Sequence, residues 1–178
     1  MAVNWNRRRT GRLERLATAI EAIGERDRHQ ADENTRIDRL RASGAVALHE
    51  FCREFVDELN SRLPAPALVL DPPVFSPENF RDPGRNLIQI NLRGRLLMLE
   101  FEGTGEPTST DDFRKPYILH GSVRALNQDL LDRHLVSEKS LFYCPDGERG
   151  EWHFVDHRSY RSGRFTLDLL TSEMEKLI

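Results

Sequence analysis

The sequence is poor in cysteine and has no long uncharged apolar run. Its two cysteines, Cys52 and Cys144, are too few for the disulfide framework of a small secreted domain, and their spacing matches no structural zinc motif. A membrane-spanning helix needs about 20 apolar residues, and a secretory signal needs an apolar segment near the N-terminus. The sequence contains neither pattern, so we expect a cytoplasmic protein without a membrane span.

Charge of one sign is also lacking. The 26 lysines and arginines are nearly balanced by 29 aspartates and glutamates, which gives a net charge of −3. This balance excludes the strong basic excess of a dedicated nucleic-acid-binding domain. With 178 residues, of which 38% are hydrophobic, the chain is long and apolar enough to bury a core. Composition therefore predicts a folded domain but indicates no partner.

Proline is absent from residues 1–63, so this part of the chain is free to be helical. A first apolar stripe at three- and four-residue steps predicts a helix over about 9–26, and it consists of Leu13, Leu16, Ala17, Ile20 and Ile23. A second, wider stripe predicts a helix over about 33–62, and it consists of Ile37, Leu40, Leu48, Phe51, Cys52, Phe55, Val56, Leu59 and Leu63. The polar run 25–34 separates the two stripes. The first helix either packs on the second as an antiparallel hairpin or packs on another protomer.

From residue 67 onward the apolar period changes to two, which predicts strands. Residues 86–102 predict a hairpin around Arg93-Gly94, with Ile90 opposite Leu97 and Ile88 opposite Leu99 on the buried face. We then expect a loop over 103–116, a strand over 117–125, a short helix capped by Asn127, and a second hairpin formed by 139–144 and 151–156. A last helix is predicted over 166–178, with Thr166 as its N-cap.

These elements predict an α+β fold in which N-terminal helices and a C-terminal helix pack on a mostly antiparallel sheet. We expect residues 1–63 to form a helical segment, and residues 64–178 to form the sheet with the short helix and the last helix. The second helix is expected to belong to the same domain as the sheet. The element order resembles that of the small dimeric chaperones of bacterial secretion systems. That resemblance implies binding of segments of other proteins.

The sequence contains no motif for a nucleophile, a cofactor or a metal. Cys144, His153 and His157 come nearest to a zinc-ligand set, but a four-residue step on a strand and loop does not bring two histidines to one face. We therefore predict no catalytic residue, no cofactor and no metal site. Cys52 lies on the second stripe and is expected in the core.

The densest polar cluster is the segment 156–164, which precedes the last helix. We predict that Arg158, Arg161, Ser162 and Arg164 bind a small anion, because guanidinium groups would act together with the free N–H groups and the positive dipole end of a helix N-terminus. The alternative is that these arginines are solvated or pair with neighbouring carboxylates.

Three hypotheses of function follow, in this order. The first is a non-catalytic binding or adaptor module that contacts another protein or a second copy. The second is an enzyme or ligand-binding domain for an anionic substrate, with His120 or His157 as the acid-base group and Arg124, Arg158 or Arg161 holding the anion. The third is a nucleic-acid accessory protein that uses residues 1–16, whose five arginines and one glutamate give a charge of +4.

Overall fold

The structure is a computed structural model, and it describes residues 2–133 and 136–178. It contains a long helix α1 (Ala2–Ser61), a short helix α2 (Gln128–Asp132) and a last helix α3 (Leu167–Glu175). The seven strands are β1 (Leu68–Asp71), β2 (Asn86–Leu92), β3 (Arg95–Thr108), β4 (Tyr117–Leu126), β5 (Ser137–Asp146), β6 (Arg149–Asp156) and β7 (Arg161–Arg164). The predicted α+β class, with helices and an antiparallel sheet, is confirmed.

The strands form one sheet in the order β1 to β7, and each strand is antiparallel to its neighbours. The predicted register of the first hairpin is confirmed, because Ile90 pairs with Leu97 and Ile88 pairs with Leu99. Its turn residues, Arg93 and Gly94, have φ angles of 51° and 89°. Two consecutive positive φ values are those of the tight turn whose twist matches that of paired strands.

The first 61 residues contain one helix where the sequence predicts two. Residues 27–32, which lie between the two predicted helices, are helical. They contain no proline, and local side-chain pairs support the helix: Nε2 of Gln30 donates to Oδ1 of Asn34 over 3.0 Å, and Arg36 pairs with Glu33 at 3.0 Å. The polarity of residues 25–34 therefore does not interrupt the helix.

Two further stretches differ from the prediction. Strand β3 continues to Thr108, with an irregularity in its pairing between Gly103 and Thr108, where a loop was expected from residue 103. Residues 161–164 form strand β7 and pair with β6, where a loop was expected to lead directly into the last helix. Both stretches are poor in branched apolar residues, so their sequences do not show the alternation by which strands are recognised.

The chain divides into two compact units, residues 1–39 and residues 40–178. In the second unit, the predicted stripe of α1 is buried at Leu48, Cys52, Phe55 and Val56. Nε1 of Trp152 donates a hydrogen bond of 2.8 Å to the carbonyl oxygen of Gly44. The core therefore lies between this part of α1 and one face of the sheet.

The two faces of the sheet differ in polarity. The inner face carries the buried side chains of Ile88, Ile90, Leu97, Leu99, Val123, Leu141 and Trp152. Helix α3 adds Leu170, Met174 and Leu177 to the core, and the Thr166 hydroxyl accepts a hydrogen bond from the Leu169 N–H, which confirms the predicted N-cap. The alternate residues of β3, β4 and β5 form the outer face. It carries polar side chains such as Glu100, His120 and Ser140, and also the apolar side chains of Phe142 and Cys144, which belong to a second buried cluster with Phe113, Tyr117 and Val155.

Candidate functional site

The first unit exposes an apolar stripe on α1. The side chains of Leu13, Leu16, Ile20 and Ile23, hereafter the apolar stripe, are 58%, 56%, 59% and 55% exposed. Exposed single aliphatic residues are common, but four on one helix face form a continuous surface. The arrangement follows from their steps of three, four and three residues, which keep side chains on one side of an α-helix.

Polar and small residues surround the apolar stripe. The side of α1 facing away from it carries Glu14, Thr18, Glu21 and Glu25, all exposed. Ala17 and Ala19 lie beside its midpoint and are also exposed. The helix is therefore amphipathic, as the sequence predicts. Because the residues beside the midpoint of the stripe are alanines, a second helix could pack closely against this side.

The second unit has a shallow depression on the outer face of the sheet, with a volume of about 300 Å³. It is lined by Arg85, Glu100, Phe101, Glu102, His120, Gly121, Ser122, Arg124, Glu138 and Ser140. Strand pairing brings these residues together, since His120 lies beside Glu102 on β3 and Ser140 lies beside Ser122 on β4. The depression contains His120 and Arg124, two residues of the second hypothesis of function.

The charges in this depression largely compensate each other. Glu100 accepts from Arg85 at 2.9 Å and from Arg124 at 2.6 Å, while Nε of Arg124 lies 3.9 Å from Glu138. Three carboxylates therefore face two guanidinium groups, so the site offers no excess of positive charge to an anion. Nε2 of His120 lies 3.4 Å from Glu102.

His157 contacts Ser140, one of the residues that line the same depression. Its Nε2 shares a hydrogen bond of 2.9 Å with Oγ of Ser140. In nucleophilic catalysis an imidazole can activate a serine hydroxyl to which it is hydrogen-bonded, but such sites also need a third group that orients the imidazole. Within residues 2–133 and 136–178, His157 has no carboxylate within ion-pair distance. Ser140 was not singled out from the sequence, because only strand pairing brings it near His157.

The structure does not gather the four predicted anion ligands on one face. Arg161 and Ser162 are consecutive on β7 and therefore lie on opposite faces, with Arg164 on the same face as Ser162. Arg164 pairs with Glu151 at 3.1 Å, and Nη2 of Arg158 donates to the Val136 carbonyl at 3.1 Å. Anion binding by these residues stays a prediction.

The cysteines lie in different environments. Cys52 is fully buried in the core, as expected, and burial raises the pKa of its thiol to about 12. Cys144 and His153 line a small depression together with Glu151, and burial raises the pKa of Cys144 to about 11 and lowers that of His153. A thiol that remains protonated is a poor nucleophile and a poor metal ligand. Among the described residues, no group of three histidine, cysteine or acidic side chains is placed to hold a metal ion.

A buried ionic cluster joins α3 to the sheet, and the sequence analysis did not predict it. Nζ of Lys139 lies 3.0 Å from Asp156 and 2.9 Å from Glu173, whose side chain is fully buried. Nζ of Lys176 lies 2.7 Å from Glu173 and donates to Ser137 at 2.8 Å. The sequence could have indicated this cluster, because Lys139 in β5 and Glu173 in α3 are charged residues at positions that the apolar pattern places toward the core.

The nucleic-acid hypothesis rests on residues 1–16, and the side chains of three of its five arginines, Arg7, Arg8 and Arg9, lie outside the described residues. No helix in the described part of the chain has the length and hydropathy needed to cross a membrane. No protein-family model, curated protein or solved structure matches the sequence or the fold.

Proposed function

We propose that the protein is a non-catalytic binding module whose binding surface is the apolar stripe of α1. The observation that carries this proposal is the exposure of all four stripe residues, each at more than half of its surface. An isolated helix is marginally stable in water and normally gains its stability from packing of its apolar side. A partner that covers the stripe would supply that packing.

The free energy available from burying the apolar stripe is large enough to favour a specific contact with a partner. Full burial of a leucine or isoleucine side chain stabilises by about 1.5–3 kcal/mol, and the stripe residues have roughly half of that still to gain. Four such residues on one face therefore offer several kcal/mol before the entropic costs of association. The charge-compensated depression on the sheet has no comparable source of binding energy.

Site-specific photo-crosslinking in the source cells tests the proposal. We expect p-benzoylphenylalanine at Leu16 or Ile20 to form adducts with protein, because the reactive ring would lie within the bound interface. Thr18 provides the matched control, since it lies on the same two turns of α1 but on the polar side. Adducts absent from both stripe positions, or equally abundant at Thr18, would overturn the proposal.

A further inference from the structure

We infer that the partner covering the apolar stripe is a second copy of the chain, with the two helices antiparallel and Leu13 of each copy opposite Ile23 of the other. This inference rests on the proposed function and names the partner of the same surface. It follows from three features of residues 12–38: the spacing of apolar positions, the charges that continue that spacing, and the small residues beside it.

The apolar stripe has the spacing of a coiled-coil seam. Steps of three and four residues alternate from Leu13 through Leu16 and Ile20 to Ile23, as they do in the heptad repeat of a coiled coil. The same steps continue to Asp27, Gln30, Asn34 and Ile37. All eight positions belong to one helix without a break. The seam positions of the first two heptads are therefore apolar and the next three, Asp27, Gln30 and Asn34, are polar, which limits the register in which two copies can pair.

Charge selects the antiparallel orientation. In a parallel pair, Asp27 of one copy would lie against Asp27 of the other within the seam, and like charges in contact are destabilising. In an antiparallel pair centred on residue 18, Leu13 faces Ile23 and Leu16 faces Ile20. The position facing Asp27 is then Arg9 by sequence, although the Arg9 side chain lies outside the described residues. The two Asp27 side chains then lie at opposite ends of the paired segment, so they no longer repel each other.

The residues beside the seam permit close approach. Ala17 and Ala19 lie on either side of the midpoint and would each meet the same residue of the second copy across the two-fold axis. Small side chains at these positions let the helix axes come together, so that the four aliphatic residues can interdigitate. The contact is self-complementary, and it closes as a dimer because both copies use the same surface.

Sedimentation equilibrium of the full chain tests self-association. We expect a concentration-dependent monomer–dimer equilibrium, at least tenfold weaker in Leu16→Glu/Ile20→Glu because four charges would enter one small apolar seam. Leu16→Ala/Ile20→Ala, which keeps high helix propensity, should also weaken it, with unchanged helicity by circular dichroism. Thr18→Glu/Ala22→Glu adds the same charge away from the seam and should dimerise like the parent. A parent chain that is monomeric throughout, or a dimer that the stripe variants leave intact, would overturn the inference.

Disulfide trapping tests the orientation. Residues 13 and 23 are ten positions apart, about 15 Å along a helix, whereas a disulfide needs Cα atoms within about 7 Å. A mixture of Leu13→Cys and Ile23→Cys chains should therefore form the mixed disulfide, while each variant alone should not. The parent chain controls for Cys52 and Cys144, which are buried. Crosslinking of each variant with itself would show parallel helices and refute the inference.

The two proposals fail in different ways. A stripe adduct at twice the mass of the chain supports both. An adduct with a different protein, together with a monomeric chain in sedimentation, leaves the proposed function standing and removes the second copy as the partner. No stripe adduct removes the proposed function itself.

Discussion

At the residue scale, Gly44 shows how one position can decide the packing of α1 on the sheet. A Cβ atom at Gly44 would lie 2.5 Å from the ring of Tyr143, much closer than van der Waals contact allows. The backbone is helical there, so the need for glycine comes from contact with the sheet and not from an unusual φ angle. From the sequence alone, a glycine inside a helical pattern is only a weak point of the helix.

Gly44→Ala should therefore lower the free energy of unfolding by about 1–3 kcal/mol, the usual cost of forcing extra volume into a packed core. Gly24→Ala is the matched control in the same helix, because a Cβ atom there would meet no other atom within 4 Å. It should leave the urea midpoint unchanged or raise it, since alanine favours a helix over glycine. If the two substitutions changed the free energy of unfolding equally, the close contact of Gly44 with Tyr143 would not be the reason that residue 44 must be glycine.

Asp156 makes stability depend on pH. Burial alone would raise the pKa of Asp156, but hydrogen bonds from Lys139 and Ser159 hold it well below its usual range. Likewise, burial would lower the pKa of Lys139, whereas Glu173 and Asp156 raise it. A carboxyl with a lowered pKa in the folded state contributes stability above its unfolded value, about 4, and that stability is lost as the pH falls further.

Asp156→Asn should accordingly melt at a lower temperature than the parent at pH 7, and the difference should shrink as the pH is lowered from about 5 to 2. Asparagine can still accept, through Oδ1, the hydrogen bonds that Asp156 accepts from the backbone N–H groups of Arg158 and Ser159, so the variant keeps the turn and removes the charge and the acceptor that face Lys139. Asp146→Asn, at an exposed position, should follow the parent. Parallel melting profiles for the parent and Asp156→Asn would refute this prediction.

At the element scale, the β6–β7 hairpin changes the setting of the predicted anion site. The segment was expected to lead straight into the last helix, where N–H groups and arginines would face one hollow. Instead β7 lies between the turn and α3, and strand alternation separates Arg161 from Ser162 and Arg164. An anion would have to displace the contact of Arg164 with Glu151 or that of Arg158 with Val136.

The anion hypothesis still predicts a measurable result. Phosphate should raise the melting temperature in a saturable way, and the effect should be lost in Arg158→Ala/Arg164→Ala, because a ligand stabilises the state that binds it. Arg93→Ala/Arg95→Ala removes two exposed arginines at another hairpin and should retain the response. If phosphate protects the first double variant as it does the parent, the hairpin has a structural role only.

At the scale of the whole molecule, the core belongs to the second unit. Residues 40–178 contain the sheet, α3 and most of the buried residues of α1, whereas the apolar stripe of the first unit is exposed. A unit with its own core is expected to fold by itself. The first unit, a helix with one apolar side, is not expected to be stable alone.

Removal of residues 1–31 should therefore leave a folded protein that unfolds cooperatively, with a melting temperature within a few degrees of the monomeric parent's. Asp32 then begins the helix, where an acidic residue interacts favourably with the dipole. Calorimetry measures the transition, and the stripe variant Leu16→Glu/Ile20→Glu, at a concentration where sedimentation shows it to be monomeric, provides the full-length reference. Loss of the cooperative transition on truncation would show that the first unit is required for folding.

The fold class and the hairpin register were predictable because they depend on local patterns. Alternation in residues 86–102 left one register that buries Ile88, Ile90, Leu97 and Leu99, and a one-residue slip would have exposed all four. The number of helices was not predictable by the same means. The polar run 25–34 has no apolar period, and the side-chain pairs that support a helix there give a weaker signal than a stripe.

The sequence alone determined where apolar residues recur, and thus the helical and strand periods, the N-cap at Thr166 and the amphipathic stripe of α1. Only the tertiary structure decided which groups from distant positions meet: Gly44 with Tyr143 and Trp152, Lys139 with Glu173, and Ser140 with His157. The physical reason is that periodicity is a property of neighbouring residues. Contacts across the fold depend instead on strand pairing and helix packing, which join residues that no local pattern relates.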